Sequence, residues 1–339
     1  MKEKRSITIT VLVALAFACV PFVLDADKSY FVYFLFLSFC YVVITQGWNI
    51  IGGYTGQVSL GQHAFFGLGA YTTGIIWLHD ITKTGYYFDP VTMILSGLVP
   101  VILAILIGIP LLSRLRGDYF ALGTLGVGEI VKVFFVKGGS FTGASDGLHL
   151  PSTVFQSMKP YYWTGLLLAV FATAVIYFMT RSRIGLALRA VREDETSAAM
   201  HGIHILKYKV LAFAVGAFIT GVCGSLYAYY LFHINPDSVL KLDWTLYPIL
   251  MCVIGGSGTI MGPVIGAFFM SAVFSLSDMY FVQIHPILAG LLIIIVMKFM
   301  PKGLVGLKDQ IGMGWGKRRT ESLAGAVGIG GVPEEEELK

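Results

Sequence analysis

Ionisable side chains inside apolar runs are the residues with most scope for chemistry here, and only Glu129 and Lys132 qualify. They stand three residues apart, so on a helix they share a face and can pair. Two readings follow: a structural ion pair that anchors one helix to another, or part of a proton or ion relay at depth. Lys132 lies near the end of its run and can snorkel. Asp118, Asp243 and Asp278 fall at run ends and read as interfacial.

No other constellation supports an enzyme. The sequence has no Gly-x-x-x-x-Gly-Lys-Ser/Thr loop to cradle ATP phosphates, and Gly316-Lys317 is followed by arginine. Its seven histidines, His63, His79, His149, His201, His204, His233 and His285, show no zinc spacing, and no serine sits in a Gly-x-Ser-x-Gly elbow. Cys19, Cys40, Cys223 and Cys252 all lie in apolar runs and read as small core residues. No metal, cofactor or catalytic residue is expected.

A second class of residue carries chemistry through its backbone. Between Gly47 and Thr73 stand Gly47, Gly52, Gly53, Gly56, Gly61, Gly67 and Gly69, with polar Asn49, Gln57, Ser59 and Gln62 among them. Apolar runs flank this stretch. Facing lipid, its unpaired N–H and C=O groups would cost several kcal/mol each, so it must be buried in protein or line a watery path. A weaker echo is Gly255-Gly256-Ser-Gly258, leading into Ala267-Phe-Phe269 as Gly52-Gly53-Tyr-Thr-Gly56 leads into Ala64-Phe-Phe66. Glycine-broken segments at matching places in two halves point to a transporter's path.

The elements that position these residues are membrane helices. The chain is 56% hydrophobic and 13% charged, against roughly a quarter charged in soluble domains. Mean hydropathy is +0.76. The expected fold is an all-α polytopic membrane protein of about ten spans, with broken or half helices among them. They are Ile7–Val23, Phe31–Ile51, Gln62–Leu78, Val91–Leu112, Tyr119–Val136, Tyr161–Thr180, Val210–Phe232, Leu246–Ile254, Met261–Leu276 and Pro286–Met300. The eighth is too short to cross about 30 Å and reads as a half-helix. The first exceeds a signal h-region and reads as a retained helix.

Arginines set the orientation. With both termini cytoplasmic, Arg5, Arg114, Arg116, Arg181, Arg183, Arg189, Arg192, Arg318 and Arg319 all fall inside, and the outer loops hold only Lys28, Lys83, Lys137, Lys159 and Lys241. The formal net charge of +4 is too small to argue for nucleic acid. Residues 1–303 form the expected transmembrane domain, with a cytoplasmic loop over 181–209; 304–339 form a cytoplasmic tail expected to be disordered. The outer loop from Lys137 to Pro160 is long enough either to be functional or to be a solvated turn.

In the inner loop, Ile184, Leu188 and Val191 share one helical face, and Arg189 and Arg192 another. Glu193, Asp194 and Glu195 can serve the start of a second short helix through Ala198 and Ala199, closed by Gly202. The basic half suits anionic lipid. The glutamate-rich, glycine-capped half suits docking to another protein.

Three blocks together resemble the permease subunits of branched-chain amino acid ABC importers, in particular the one paired with a second, related permease. The first is Trp48-Asn49 with Gly53 to Gly61 and Phe65 to Tyr71. The second is Gly117 to Leu125 with Gly128-Glu129-Ile130, Thr142-Gly143 and Asp146-Gly147. The third is Gly185 to Gly202 with Gly255 to Thr259 and Gly262-Pro263. His63 departs from the pattern, which favours a small residue, and the glutamate-ended tail has no counterpart in it.

The resemblance implies a bacterial inner-membrane protein whose partners are that second permease (or a second copy), two cytoplasmic ATP-binding subunits and a periplasmic binding protein. Path candidates are then Asn49, Gly52, Gly53, Gly56, Gln57, Ser59, Gly61, Gln62, Glu129, Gly255, Gly256 and Gly258. The ATPase-coupling group is Gly185, Arg189, Arg192, Glu193, Glu195, Ala199 and Gly202. Relatives that move urea, amides or other amino acids share most of these blocks. A stand-alone channel or ion-coupled carrier is the alternative of another class, which the docking loop argues against.

Overall fold

The structure is a computed structural model that describes residues 15–79, 81, 89–150, 157–280, 290 and 303–306. The expected span Pro286–Met300, the start of Ile7–Val23 and nearly all of the tail lie outside these residues.

The described chain is helical, and six helical stretches are long and apolar enough to cross a membrane. In order, α1 (Tyr30–Asn49) runs into a π-helical turn (Ile50–Tyr54), and α2 spans Gln62–Leu78, α3 Pro90–Arg114 and α4 Asp118–Lys137. A two-residue strand β1 (Leu148–His149) precedes α5 (Lys159–Arg181). Two short helices follow, α6 (Arg183–Glu193) and α7 (Glu195–Met200), and then the long α8 (Ile205–Leu231). β2 (His233–Ile234), α9 (Pro236–Val239), α10 (Asp243–Gly255) and α11 (Gly262–Tyr280) complete the order.

Helix α10 has 13 residues, about 20 Å at 1.5 Å each, so it cannot cross a bilayer alone. Together with α9 it makes a 20-residue apolar stretch, Pro236–Gly255. The loop after Lys137 holds a 3-10 turn (Gly139–Phe141) and β1, whose Leu148 and His149 pair with Ile234 and His233.

Helix starts follow from capping chemistry. Asp89 accepts hydrogen bonds from Val91 N (3.0 Å) and Thr92 N (3.3 Å) ahead of α3, with Pro90 at its first position. Asp27, before α1, accepts from Met158 N at 2.7 Å where α5 begins. That N–H, with the Ser157 hydroxyl beside it, holds the Asp27 carboxyl below the usual carboxylate range against the opposing effect of desolvation.

The core forms where α2, α3 and α8 lie along one another and α1 packs on α5, α8 and α11. Close approach of α2 and α8 depends on absent side chains, since a Cβ on Gly69 would overlap the Gly221 backbone and one on Gly224 the Phe66 carbonyl. The α1 stretch is 78% buried, against 28% for α3 and 33% for α4. Helix α1 is therefore the axis of the bundle, and α3 and α4 are its outer wall.

Candidate functional site

The glycine-rich stretch folds as a break in α1. Ile-Ile-Gly-Gly-Tyr over 50–54 widens into a π turn, a geometry that recurs at functional sites. Thr55 Oγ1 donates to the Ile51 carbonyl at 2.6 Å, and Gln57 N donates to the same carbonyl at 3.2 Å. The non-helical connection to α2 is largely buried, with Gly56 and Val58 exposed, and side chains answer part of its backbone. Trp48 Nε1 donates to the Ser59 carbonyl (2.8 Å), and Leu60 N donates to Thr124 Oγ1 on α4 (2.9 Å). These bonds satisfy part of the non-helical backbone within the protein, as a membrane segment requires.

The second break follows α10. Gly256 and Gly258 take φ of +118° and +74°, and Thr259 Oγ1 bridges the turn, donating to the Gly256 carbonyl and accepting from Gly262 N. The two breaks meet. Asn49 Oδ1 accepts from Gly258 N at 2.8 Å, and its Nδ2 donates to the Thr259 carbonyl at 2.9 Å. One turn earlier, Gln46 Nε2 donates to the Ile260 carbonyl at 2.9 Å.

The loop over 181–209 closes on the same place. Ser182 caps α6, which buries Gly185, Ala187, Leu188 and Val191. Arg192 then reaches back to donate to the Gly53 carbonyl at 2.5 Å, and Arg189 lies 5.9 Å from the Tyr54 ring centre. Asp194 accepts from Ser197 N at 2.6 Å to start α7. Gly202, at φ +78°, ends it with its own N–H on Ala199 O and that of Ile203 on Ala198 O.

Glu195 is the hub of this end. Its carboxylate takes Lys209 Nζ at 2.5 Å, Gln57 Nε2 at 3.3 Å and Arg116 Nε at 3.8 Å. Lys209 is only 1% exposed, so its charge is answered inside the protein. One carboxylate therefore joins the start of α8, the connection to α2 and the segment before α4.

Of the path candidates, Asn49, Gly53 and Gly258 form one knot, with Gly52, Gly56, Gly255 and Gly256 next to them in the two breaks. Gln57 is held by Glu195. Ser59 and Gln62 are buried, and Gln62 bonds inward to Thr220 on α8. Gly61 lies against the Thr124 backbone of α4. Glu129 stands apart, exposed on the outer side of α4. The expected pairing of Glu129 with Lys132 does not form, because Lys132 Nζ bonds Asp237 Oδ1 on α9 at 2.9 Å. His63 fills the joint between α2, α4 and α10, with Nδ1 2.9 Å from Thr245 Oγ1 and its Nε2 lodged against Gly128.

Of the coupling group, Arg192 stays exposed while its guanidinium reaches the Gly53 carbonyl, and Glu195 is half-buried against Lys209. Arg189, Glu193, Ala199 and Gly202 are exposed, beside Leu186 at 65% and Met200 at 83% exposure. Leu186 and Met200 went unnoticed in the sequence, as did Lys209 and Thr220. Lys209 sits in line with Ala212, Phe213, Gly216 and Thr220, all buried at helical spacing, which is the signal that could have flagged it. Among the described residues no cluster of metal-binding side chains occurs.

The family described as branched-chain amino acid transport system / permease component matches residues 30–297. The high-affinity branched-chain amino acid transport system permease protein LivM of Salmonella typhimurium is 27% identical over 315 residues, covering 84% of this chain and 72% of that protein. Its Escherichia coli namesake is 26% identical over 298 residues, covering 79% and 68%. The permease protein LivH of Salmonella typhimurium is 30% identical over 156 residues, covering 46% of this chain and 49% of LivH. No solved structure matches the chain.

Proposed function

The chain belongs to the family of branched-chain amino acid transport system permease components, and from that premise we propose that it is a membrane subunit of an ABC importer, forming with a second, related permease the path for leucine, isoleucine and valine. Separate subunits hydrolyse the ATP on the cytoplasmic side, and a periplasmic binding protein delivers substrate to the other. The arginine-rich end of the bundle, with α6 and α7, is then cytoplasmic. Residues 1–303 form the membrane domain of about ten spans in a bacterial inner membrane, and 304–339 are its cytoplasmic tail.

The observation that carries the mechanism is the hydrogen bond from Arg192 to the Gly53 carbonyl. The exposed side of α6 and α7, with Leu186, Arg189, Glu193, Ala199 and Met200, offers an apolar and charged knob to an ATPase. The two helices grip the break in α1 through Arg192, and the connection to α2 through Glu195 and Gln57. Movement of the knob as the ATPases close therefore pulls on the π turn. Through Asn49 the same pull reaches the turn at Gly258. Both breaks are glycine-built and can rearrange at small cost, so the path opens or closes where they meet.

Uptake of radiolabelled leucine into vesicles holding the complete importer tests this reading. ATP-dependent uptake competed by isoleucine and valine is expected. Competition by urea instead, or flux that ignores ATP, would overturn it.

A further inference from the structure

Helix α4 differs from the other outer helices in what it exposes. The outward faces of α3 (Ile94, Leu98, Ile102) and α5 (Leu167, Phe171) are apolar, as lipid requires. The outward face of α4 carries Leu122 and Ile130, 62% and 69% exposed, with Gly126 opening on empty space and Glu129 beside them. Eleven residues separate Asp118 from Glu129, which places the carboxylate about 16 Å along a helix about 30 Å long. That is the middle of the helix, and mid-membrane where the helix crosses a bilayer.

A carboxylate facing hydrocarbon at that depth is costly. Among the described residues no cation pairs with Glu129: Lys132, one turn on, bonds Asp237. Behind it, the buried Nε2 of His63 lies against the Gly128 backbone in the same turn, close enough to Glu129 to interact with it electrostatically. The face thus needs both a protein cover and a positive group. The importer offers a second permease as the cover, and a zwitterionic amino acid as the bearer of the charge.

We propose that this face of α4 lines the path against the second permease, and that Glu129 receives the substrate's α-ammonium group at mid-membrane. Leu122 and Ile130 stand beside it to take an aliphatic side chain, and Gly126 leaves room for it. The assignment rests on the importer reading and goes beyond it in naming the face and the charge.

Leucine uptake by the complete importer in vesicles, with co-purification of its subunits, tests it. Glu129→Gln should lower uptake at least about tenfold while the second permease and the ATPases still co-purify, and Glu129→Asp should recover part. The 2-hydroxy analogue of leucine, which lacks the ammonium, should compete poorly with leucine in the wild type and relatively better in Glu129→Gln. Leu122→Trp should also block uptake, whereas Ile102→Trp on α3 should not. Wild-type uptake by Glu129→Gln would overturn the proposal. So would loss of the second permease from that variant, which would make the carboxylate a pairing group instead. Absence of ATP-driven leucine uptake in the wild-type complex would defeat the importer reading itself, and this assignment with it.

Discussion

Arg192 and Gly53 lie 139 residues apart in sequence, yet the guanidinium of one bonds the main-chain carbonyl of the other. The same guanidinium lies against Gly258, so one side chain bears on both breaks in the helical bundle. Gly53 lies in the last turn of the helical run, where carbonyls lack an intrahelical donor, and a charged donor takes that place.

This geometry separates pulling from docking. A hydrogen bond to a charged group contributes about 1.5–3 kcal/mol, and 1.4 kcal/mol is a factor of ten. Arg192→Ala should therefore lower leucine uptake about tenfold or more while ATPase co-purification persists, because its guanidinium is engaged on the Gly53 carbonyl. Met200→Asp and Leu186→Asp should do the reverse and release the ATPase. Retained uptake in Arg192→Ala, measured in vesicles, would remove the lever from the mechanism.

Glu195 should matter chiefly for stability. Removing it leaves Lys209 buried without its counter-charge, and stranding one member of a buried pair costs about 3–5 kcal/mol. Glu195→Ala should lower the midpoint of thermal unfolding in detergent markedly. The double variant Glu195→Gln, Lys209→Met removes both charges at similar volume and should lie much closer to wild type. Equal losses in the two would show that solvent already screens the pair.

What could be read from the sequence was whatever has a period or a local cap. Gln62–Leu78 emerges as a helix with the expected ends, because its apolar run is bounded by the glycine-rich stretch on one side. Gly202 caps α7 as anticipated, since a left-handed terminal residue favours glycine. Partner choice was not legible. Spacing placed Glu129 within reach of Lys132, but it could not reveal that Asp237, more than a hundred residues on, is the better neighbour. The echo between Gly52 and Gly255 was visible as a pattern, whereas the contact through Asn49 is tertiary and has no local signature. Arg192 and Glu195 stand in the coupling loop by sequence, but spacing could not show that the guanidinium meets a backbone carbonyl or that the carboxylate answers a buried lysine.

Close approach of the two breaks predicts a sharp intolerance of side chains. A Cβ on Gly53 would overlap the Asn49 carboxamide and come within 2.6 Å of Gly258 N. Gly258 holds φ +74°, and a Cβ there would collide with the Arg192 guanidinium. Forcing a methyl group into such a site costs about 1–3 kcal/mol, more where the backbone is also strained. Gly53→Ala and Gly258→Ala should each abolish leucine uptake and lower thermal stability by several degrees. On α5, a Cβ at Gly165 meets the Phe36 ring at 3.3 Å and its other neighbours at ordinary contact distance, so Gly165→Ala should leave uptake near wild type. The comparison isolates the knot, since all three variants add the same single methyl group. Normal uptake by Gly53→Ala would mean that the breaks part during transport without needing to lie this close.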